Sequence, residues 1–385
     1  MMRTAGRMQS IQPFHVMALL ARARELEAAG RSIVHMEIGE PDFITPQPVI
    51  DAGIRALQDG RTHYTPAVGL QALRLRIAAF YRQRYGVDVD ARRVVITPGA
   101  SAALQLVMAV LVNPGDQVLL ADPGYPCNRN FVYLLNGHPV GIPVTAATAY
   151  QPDPQQVRKH WTEAVAALLV ASPSNPTGTL LGENTLREFH AIATSRGGNL
   201  IVDEIYHGLV YGQQAATALA ISEDIFVVNS FSKYFGMTGW RLGWLIAPPA
   251  YVADIDKLAQ NLFLAAPTIA QHAALRAFDE ETITILESRR REFQQRRDYL
   301  LPALRDIGFD IPVIPDGAFY LYANCSRFSD DSYRFSSRLL EEVGVAITPG
   351  TDFGIHRPET HVRFAYTTSM DNLQEGVRRL REYLS

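Results

Sequence analysis

The sequence predicts an α/β protein: a large domain on a mostly parallel central sheet, with a smaller α+β domain beside it. Two observations predict this. From Val94 onward come short stretches rich in Val, Ile and Leu, apolar on both faces: VVIT, QVLLADPGYP, AALLVASPSNPTG, NLIVDEIYHG, DIFVVNSFSK and RLGWLIAPP. Strands without polar alternation are strands covered by helices on both sides, the setting of a parallel sheet. The second observation is a change of rhythm. After a long helical region from about Pro267 to Leu304 come GAFYLYANC, a helix near Phe335–Glu342, VAITPG and HVRFAYT, which read as a separate α+β unit.

The N-terminal part follows the same logic. VMALLARARELEAAG has apolar residues at helical spacing and ends in glycine, so it reads as a helix behind a short arm. EIGEPDFITPQP is turn-rich, VIDAGIRALQDG is helical, and RTHYTPAVG is a loop. The change of pattern, in the absence of any linker, places residues 1–45 with the arm and the small domain, 46–285 in the large domain and 286–385 in the small one.

Composition bounds the function. A chain of 385 residues, 47 % apolar and 19 % charged, has ample material for a large core. A formal net charge of −3 gives no reason to expect nucleic acid or an anionic membrane as partner. The charged stretch ESRRREFQQRRDY reads as a solvated helix face. No apolar run approaches the ~20 residues of a membrane span, and MMRTAGRMQSIQPF lacks the apolar stretch of a signal peptide. Cys127 and Cys325 lie far apart, and nothing calls for a disulfide. A reduced, cytoplasmic setting is expected. The ten histidines show no metal-ligand spacing, so no metal is expected. DFG at 352–354 lacks the glycine-rich loop and H-R-D motif that make it a kinase signature.

The chemistry concentrates in SFSKYFGMTGWRLGW. A lysine is usually a solvated surface charge, but Lys233 stands between a predicted strand and a loop of glycines and aromatics. Burial and neighbouring cations lower a lysine pKa toward nucleophilic use. Arg241 supplies such a cation and a fork suited to phosphate; Ser230 and Ser232 add hydroxyls. Asp203 ends the apolar strand NLIVD, where a lone carboxylate is costly and calls for a cation. That cation is a nearby arginine or a protonated ring nitrogen, the alternative being a carboxylate that caps a loop. Tyr206 and Asn175 offer donors for a ring oxygen, although N-P-T-G is good turn chemistry in any protein. Gly99, Ala100 and Ser101 mark a strand-to-helix junction whose free N–H groups attract phosphate. Tyr125, in DPGYP, is either a ring-stacking aromatic or a packed turn residue. Arg363, inside HVRFAYT, needs an anionic partner: a substrate carboxylate or a structural ion pair.

In the order EIGEPDF, HYTPAVGLQALR, TPGASAAL, DPGYP, SPSNPTG, DEIY, SFSKYFGMTGWRLG, PDGAFYLY and VRFAY, the chain resembles the class I/II aminotransferases, the fold-type I pyridoxal-phosphate enzymes. The resemblance covers nearly the whole chain. It implies that Lys233 holds pyridoxal 5′-phosphate as an aldimine and that Asp203 pairs with the pyridine nitrogen. Asn175 and Tyr206 then contact the ring oxygen, and Tyr125 stacks on the ring. Ala100, Ser101, Ser230, Ser232 and Arg241 bind the phosphate. Tyr64 reaches the phosphate of the other subunit of a homodimer, and Gly39 and Arg363 line the substrate carboxylate site, with Asn175. The implied reaction is ping-pong transamination between an L-amino acid and a 2-oxo acid, with Lys233 as general base. The absence of Lys and Arg from GASAAL and NLFLAAPT leans toward neutral or broad donors. A carbon–sulfur lyase of the same fold, or a non-catalytic ligand sensor, is the alternative.

Overall fold

The structure, a computed structural model, describes residues 4–385. Its strands are β1 (Val34–His35), β2 (Val94–Thr97), β3 (Gln117–Asp122), β4 (His138–Pro143), β5 (Val165–Ala171), β6 (Asn199–Asp203), β7 (Phe226–Ser230), β8 (Gly243–Ile246), β9 (Tyr320–Asn324), β10 (Val345–Ala346), β11 (Thr348–Pro349) and β12 (His361–Ala365). The helices that position the site are α1 (His15–Ala28), α2 (Gln47–Gln58), α3 (Gln71–Tyr85) and α4 (Ala100–Leu111).

Seven strands form the central sheet in the order β2-β8-β7-β6-β5-β3-β4. The pairs from β7 across to β4 are parallel; β8 runs antiparallel to both its neighbours. The sheet is therefore mostly parallel, as the apolar runs require, but RLGWLIAPP departs from the repeating parallel design. Its apolar sequence reports burial on both faces, which an antiparallel strand inside the sheet shares with its neighbours.

The two-faced burial is visible residue by residue. On β5, Leu168 and Val170 enter one apolar core while Ala167 and Leu169 enter another; on β6, Leu200 and Val202 oppose Ile201. Side chains alternate across a strand, so each strand feeds both layers of helices. The strand β4 ends the sheet and is half exposed, as an edge must be.

A smaller antiparallel sheet, β11-β12-β9, and the parallel pair β1–β10 lie in the other part of the chain. The N-terminal segment thus pairs with a C-terminal strand: Val34 with Val345 and His35 with Ala346. The helix expected near Phe335–Glu342 is an α-helix over Ser332–Arg338 that widens into a π-turn at Leu339–Val343. The long helical region from Pro267 is broken: one short helix ends at Ala274, and the long one runs Glu280–Ile307. No helix among the described residues is long and apolar enough to cross a membrane.

Candidate active site

A cavity of about 270 Å³ opens where the carboxyl ends of β5, β6 and β7 meet the small sheet. Ligands of open α/β sheets gather at such strand ends. The lining contains Gly39, Ala100, Ser101, Tyr125, Asn175, Asp203, Tyr206, Ser230, Ser232, Lys233, Arg241 and Arg363. Of the residues that the family resemblance assigns to the site, Tyr64 alone is not among the lining residues. It is 83 % exposed, in the loop before α3.

One end of the cavity is an anion cradle. Gly99 precedes α4 with φ 81°, and no side chain caps the helix start. The N–H groups of the first turn are therefore available to an anion. Arg241 faces them: a Cβ at Gly99 would stand 2.7 Å from its Nη2. Gly243, beneath, leaves room for the Ala100 N–H, which a Cβ there would approach to 2.8 Å. Ser232 Oγ accepts from Arg241 Nη1 at 3.5 Å, and Ser230 Oγ accepts from the Ser232 N–H at 3.0 Å. Two hydroxyls, a guanidinium and a helix N-terminus converge, which suits a phosphate.

In the middle stand Lys233 and Asp203. Lys233 Nζ donates to the Gly39 carbonyl at 2.7 Å. Burial pushes its pKa down to about 8; Arg363 and Arg241 push the same way, while Glu40 and Asp203 oppose them. Asp203 ends β6, and among the described residues its carboxylate accepts one hydrogen bond, from the Ile205 N–H at 3.1 Å. Burial pushes it up to about 7, against that bond and Lys233. Its neighbour Glu204 points to the other side of the chain, where the Ala218 N–H and the Thr217 hydroxyl hold it.

At the far end, Arg363 is 5 % exposed. Its Nη1 donates to Asn175 Oδ1 at 3.0 Å, and its Nη2 to the Glu37 carbonyl at 2.6 Å and Thr348 Oγ1 at 3.1 Å. The Nε–H is buried without a partner, so the guanidinium keeps donor capacity for a ligand. Its charge lies over the Tyr320 ring at 4.2 Å and the Phe353 ring at 4.9 Å. Tyr320 in turn shares a 2.8 Å hydrogen bond with the Tyr206 hydroxyl. A Cβ at Gly39 would overlap the Tyr320 hydroxyl, so only glycine fits there.

The sequence reading missed several of these neighbours. Tyr320 lay within PDGAFYLY and had no role assigned. Phe353 and Asp352, set aside with the DFG triplet, line the cavity. The Asp352 carboxylate receives the His15 and Val16 N–H groups at 2.8 and 2.9 Å and so caps α1 from a distant part of the chain. No local signal could have shown that. Among the described residues, no group of His, Cys, Asp and Glu is arranged to hold a metal.

The donor set fits pyridoxal phosphate: a cradle for the phosphate, a buried carboxyl for a ring nitrogen, and a lysine for covalent attachment. An expectation about stability follows from Asp203. Its pKa rises from 3.8 to about 7 on folding, so the folded state binds the proton more tightly and stability falls as pH rises through that interval. Asp203→Asn should therefore raise the melting temperature of the cofactor-free chain at pH 8, with the gain shrinking toward pH 5. An unchanged or lower value at pH 8 would show that burial does not strain this carboxylate.

The profile of the family described as aminotransferase class I and II matches residues 31–380. The chain is 37 % identical to a (5-formylfuran-3-yl)methyl phosphate transaminase of Methanocaldococcus jannaschii, over 98 % of this chain and 99 % of that protein. It is 38 % identical to a valine–pyruvate aminotransferase of Mycobacterium tuberculosis, over 97 % of each. A crystal structure of an aminotransferase from Mycobacterium tuberculosis superposes with a TM-score of 0.96 at 38 % identity, covering 100 % of this chain and 99 % of that one. The aspartate aminotransferase of Thermus thermophilus with maleate gives 0.94 at 33 %, covering 99 % and 100 %. With its fold, its cavity and its sequence in agreement along the whole length, the chain belongs to the class I and II aminotransferases.

Proposed function

We propose that this aminotransferase uses pyridoxal 5′-phosphate attached at Lys233 and reads the α-carboxylate of both substrates with Arg363. The observation that carries this reading is the convergence of Lys233, Asp203 and Arg363 on one cavity, with the anion cradle at its end. When bound, the cofactor supplies an electrophilic carbon for covalent attachment and an electron-withdrawing ring. The rest is the work of the chain. Ala100, Ser101, Ser230, Ser232 and Arg241 hold the phosphate. Asp203 keeps a proton on the ring nitrogen, Asn175 and Tyr206 address the ring oxygen, and Tyr125 covers one face. Lys233, poised near neutrality, moves the proton at the substrate α-carbon. Gly39 leaves space for the substrate carboxylate at Arg363, beside Asn175.

The donor is a neutral amino acid in this reading. The cations that line the cavity are Lys233, Arg241 and Arg363, each with a role already, and the other neighbours include Phe14, Val16, Ile38 and Phe353. The unit is a cytoplasmic homodimer in which Tyr64 reaches the partner's phosphate cradle, and the domains divide as residues 1–45, 46–285 and 286–385. A screen of amino donors against 2-oxoglutarate tests the donor class; turnover confined to aspartate and glutamate would overturn it.

Lys233 attacks only as the neutral amine. With its pKa near 8, the rate at which cofactor-free protein captures pyridoxal phosphate should climb about tenfold per pH unit below 8 and level off above it. Stopped-flow absorbance follows this directly, and borohydride should then fix the label on the peptide containing Lys233. A rate independent of pH, or label elsewhere, removes Lys233 from its role.

Arg363→Lys loses the planar fork. Catalytic efficiency should fall by about one and a half to four decades for amino acid and oxo acid alike, the equivalent of about 2–5 kcal/mol. Loss for one substrate class alone would mean that Arg363 reads a side chain instead.

The shared site predicts complementation. Lys233→Ala chains mixed with Tyr64→Phe chains should regain activity, since the intact Lys233 then meets an intact Tyr64 across the interface. Mixtures no better than their components would place Tyr64 outside the partner's site.

A further inference from the structure

A second cavity, of about 170 Å³, shares no lining residue with the one around Lys233. Pro123, after β3, and Val144 and Tyr150, after β4, form one wall. Tyr322 and Asn324 of β9, His361 of β12 and the His356–Arg357 turn form the other. The space matches the liquid volume of roughly six water molecules, which suits a small metabolite and not a nucleotide.

Its interior is unusually short of internal partners. The rings of Tyr150 and Tyr322 meet edge to face at 5.5 Å, and His361 stacks on Tyr322 at 4.8 Å and 9°. These tyrosines are only 7 % and 5 % exposed. Yet among the described residues neither hydroxyl finds a hydrogen-bond partner, and neither is sealed within protein. Buried phenols normally find a partner, and both tyrosines line this cavity. His356 Nε2 is also buried and unpartnered.

The mouth carries opposite charges. Asp310 and Arg357 both line it, and among the described residues neither is engaged in an ion pair. The fields of Glu359, Asp310 and Arg357 all reach the His361 imidazole, and that of Asp310 also reaches Tyr150. A simple anion would satisfy Arg357 and be repelled by Asp310; a simple cation would do the reverse. A zwitterion meets both.

We propose that this cavity is a second binding site, for a small free amino acid. Its carboxylate meets Arg357, its ammonium meets Asp310 and the tyrosine hydroxyls, and its side chain rests on Pro123 and Val144. The two walls come from the parts of the chain that supply Lys233 and Arg363, so a ligand here braces one against the other. Tyr322 also adjoins Phe353 at 6.2 Å, the ring beneath Arg363.

The test is calorimetric titration of glycine, L-alanine and L-serine into holoenzyme whose cofactor has been fixed by borohydride, which prevents covalent capture, and which carries Arg363→Lys to weaken carboxylate binding in the Lys233 cavity. We expect one saturable site per chain, weakened about tenfold or more, or 1.4 kcal/mol, in Arg357→Gln and in Asp310→Asn. Acetate and methylamine should not compete. Both substituted side chains are exposed, and unchanged melting temperatures would confirm that the variants fold. Absence of saturable heat with all three amino acids would overturn the proposal, as would unchanged affinity in both variants or competition by acetate alone. The readout is heat of binding and not turnover, so its failure is distinct from a failure of the proposed mechanism.

Discussion

The buried guanidinium of Arg363 holds the two sides of the candidate active-site cavity in register. A charge almost sealed from water must be met by dipoles or counter-charges. Here the dipoles come from three separate segments: the Glu37 carbonyl, the Thr348 hydroxyl and the Asn175 amide oxygen. Displacing any one of them leaves part of the charge unmet. The arrangement then propagates. Tyr320 lies against the guanidinium and bonds to Tyr206, and the closeness of Tyr320 leaves no room for a side chain at Gly39. The Gly39 carbonyl is the acceptor that holds Lys233. One charge thus orders residues from the N-terminal segment, the central sheet and the small sheet.

Burial sets the electrostatic character of the centre. It is the leading influence on both Lys233 and Asp203, and it drives them in opposite directions toward their neutral forms. Glu204, equally buried, is pushed up as well, to about 8, and the difference lies in its partners. Thr217 and the Ala218 N–H satisfy it, whereas Asp203 has one N–H and faces the cavity. The chain's alternation separates a carboxyl held by the protein's own groups from one turned to the cavity. Similar logic distinguishes the second cavity, where Tyr150 and Tyr322 lack the internal partners that Tyr206 and Tyr320 give each other.

Much of the site was legible because it lies on strand ends. Apolar runs that stop at Asp203, at Ser230 and shortly before Asn175 mark where side chains leave the sheet, and the SFSK…TGWR block brought Lys233 and Arg241 with them. The antiparallel course of β8 was hidden, since a strand buried on both faces reads the same in either direction. Tyr320 was hidden among aromatics that serve the core, such as Phe319. Asp352 sat in a triplet dismissed for lacking kinase companions, and its capping of α1 depends on a partner more than three hundred residues away in sequence.

The sequence by itself determined the class of fold, the family and the chemical types available, because periodicity, strand-end residues and motif order are local properties. The tertiary structure alone decided which of these types meet. It gave Arg363 its three acceptors and left its Nε free. It pressed Tyr320 against Gly39, and it set Asp310 and Arg357 at the mouth of one small cavity. Those outcomes depend on distances between remote segments and on how far each is withdrawn from water, quantities that no single stretch of sequence contains.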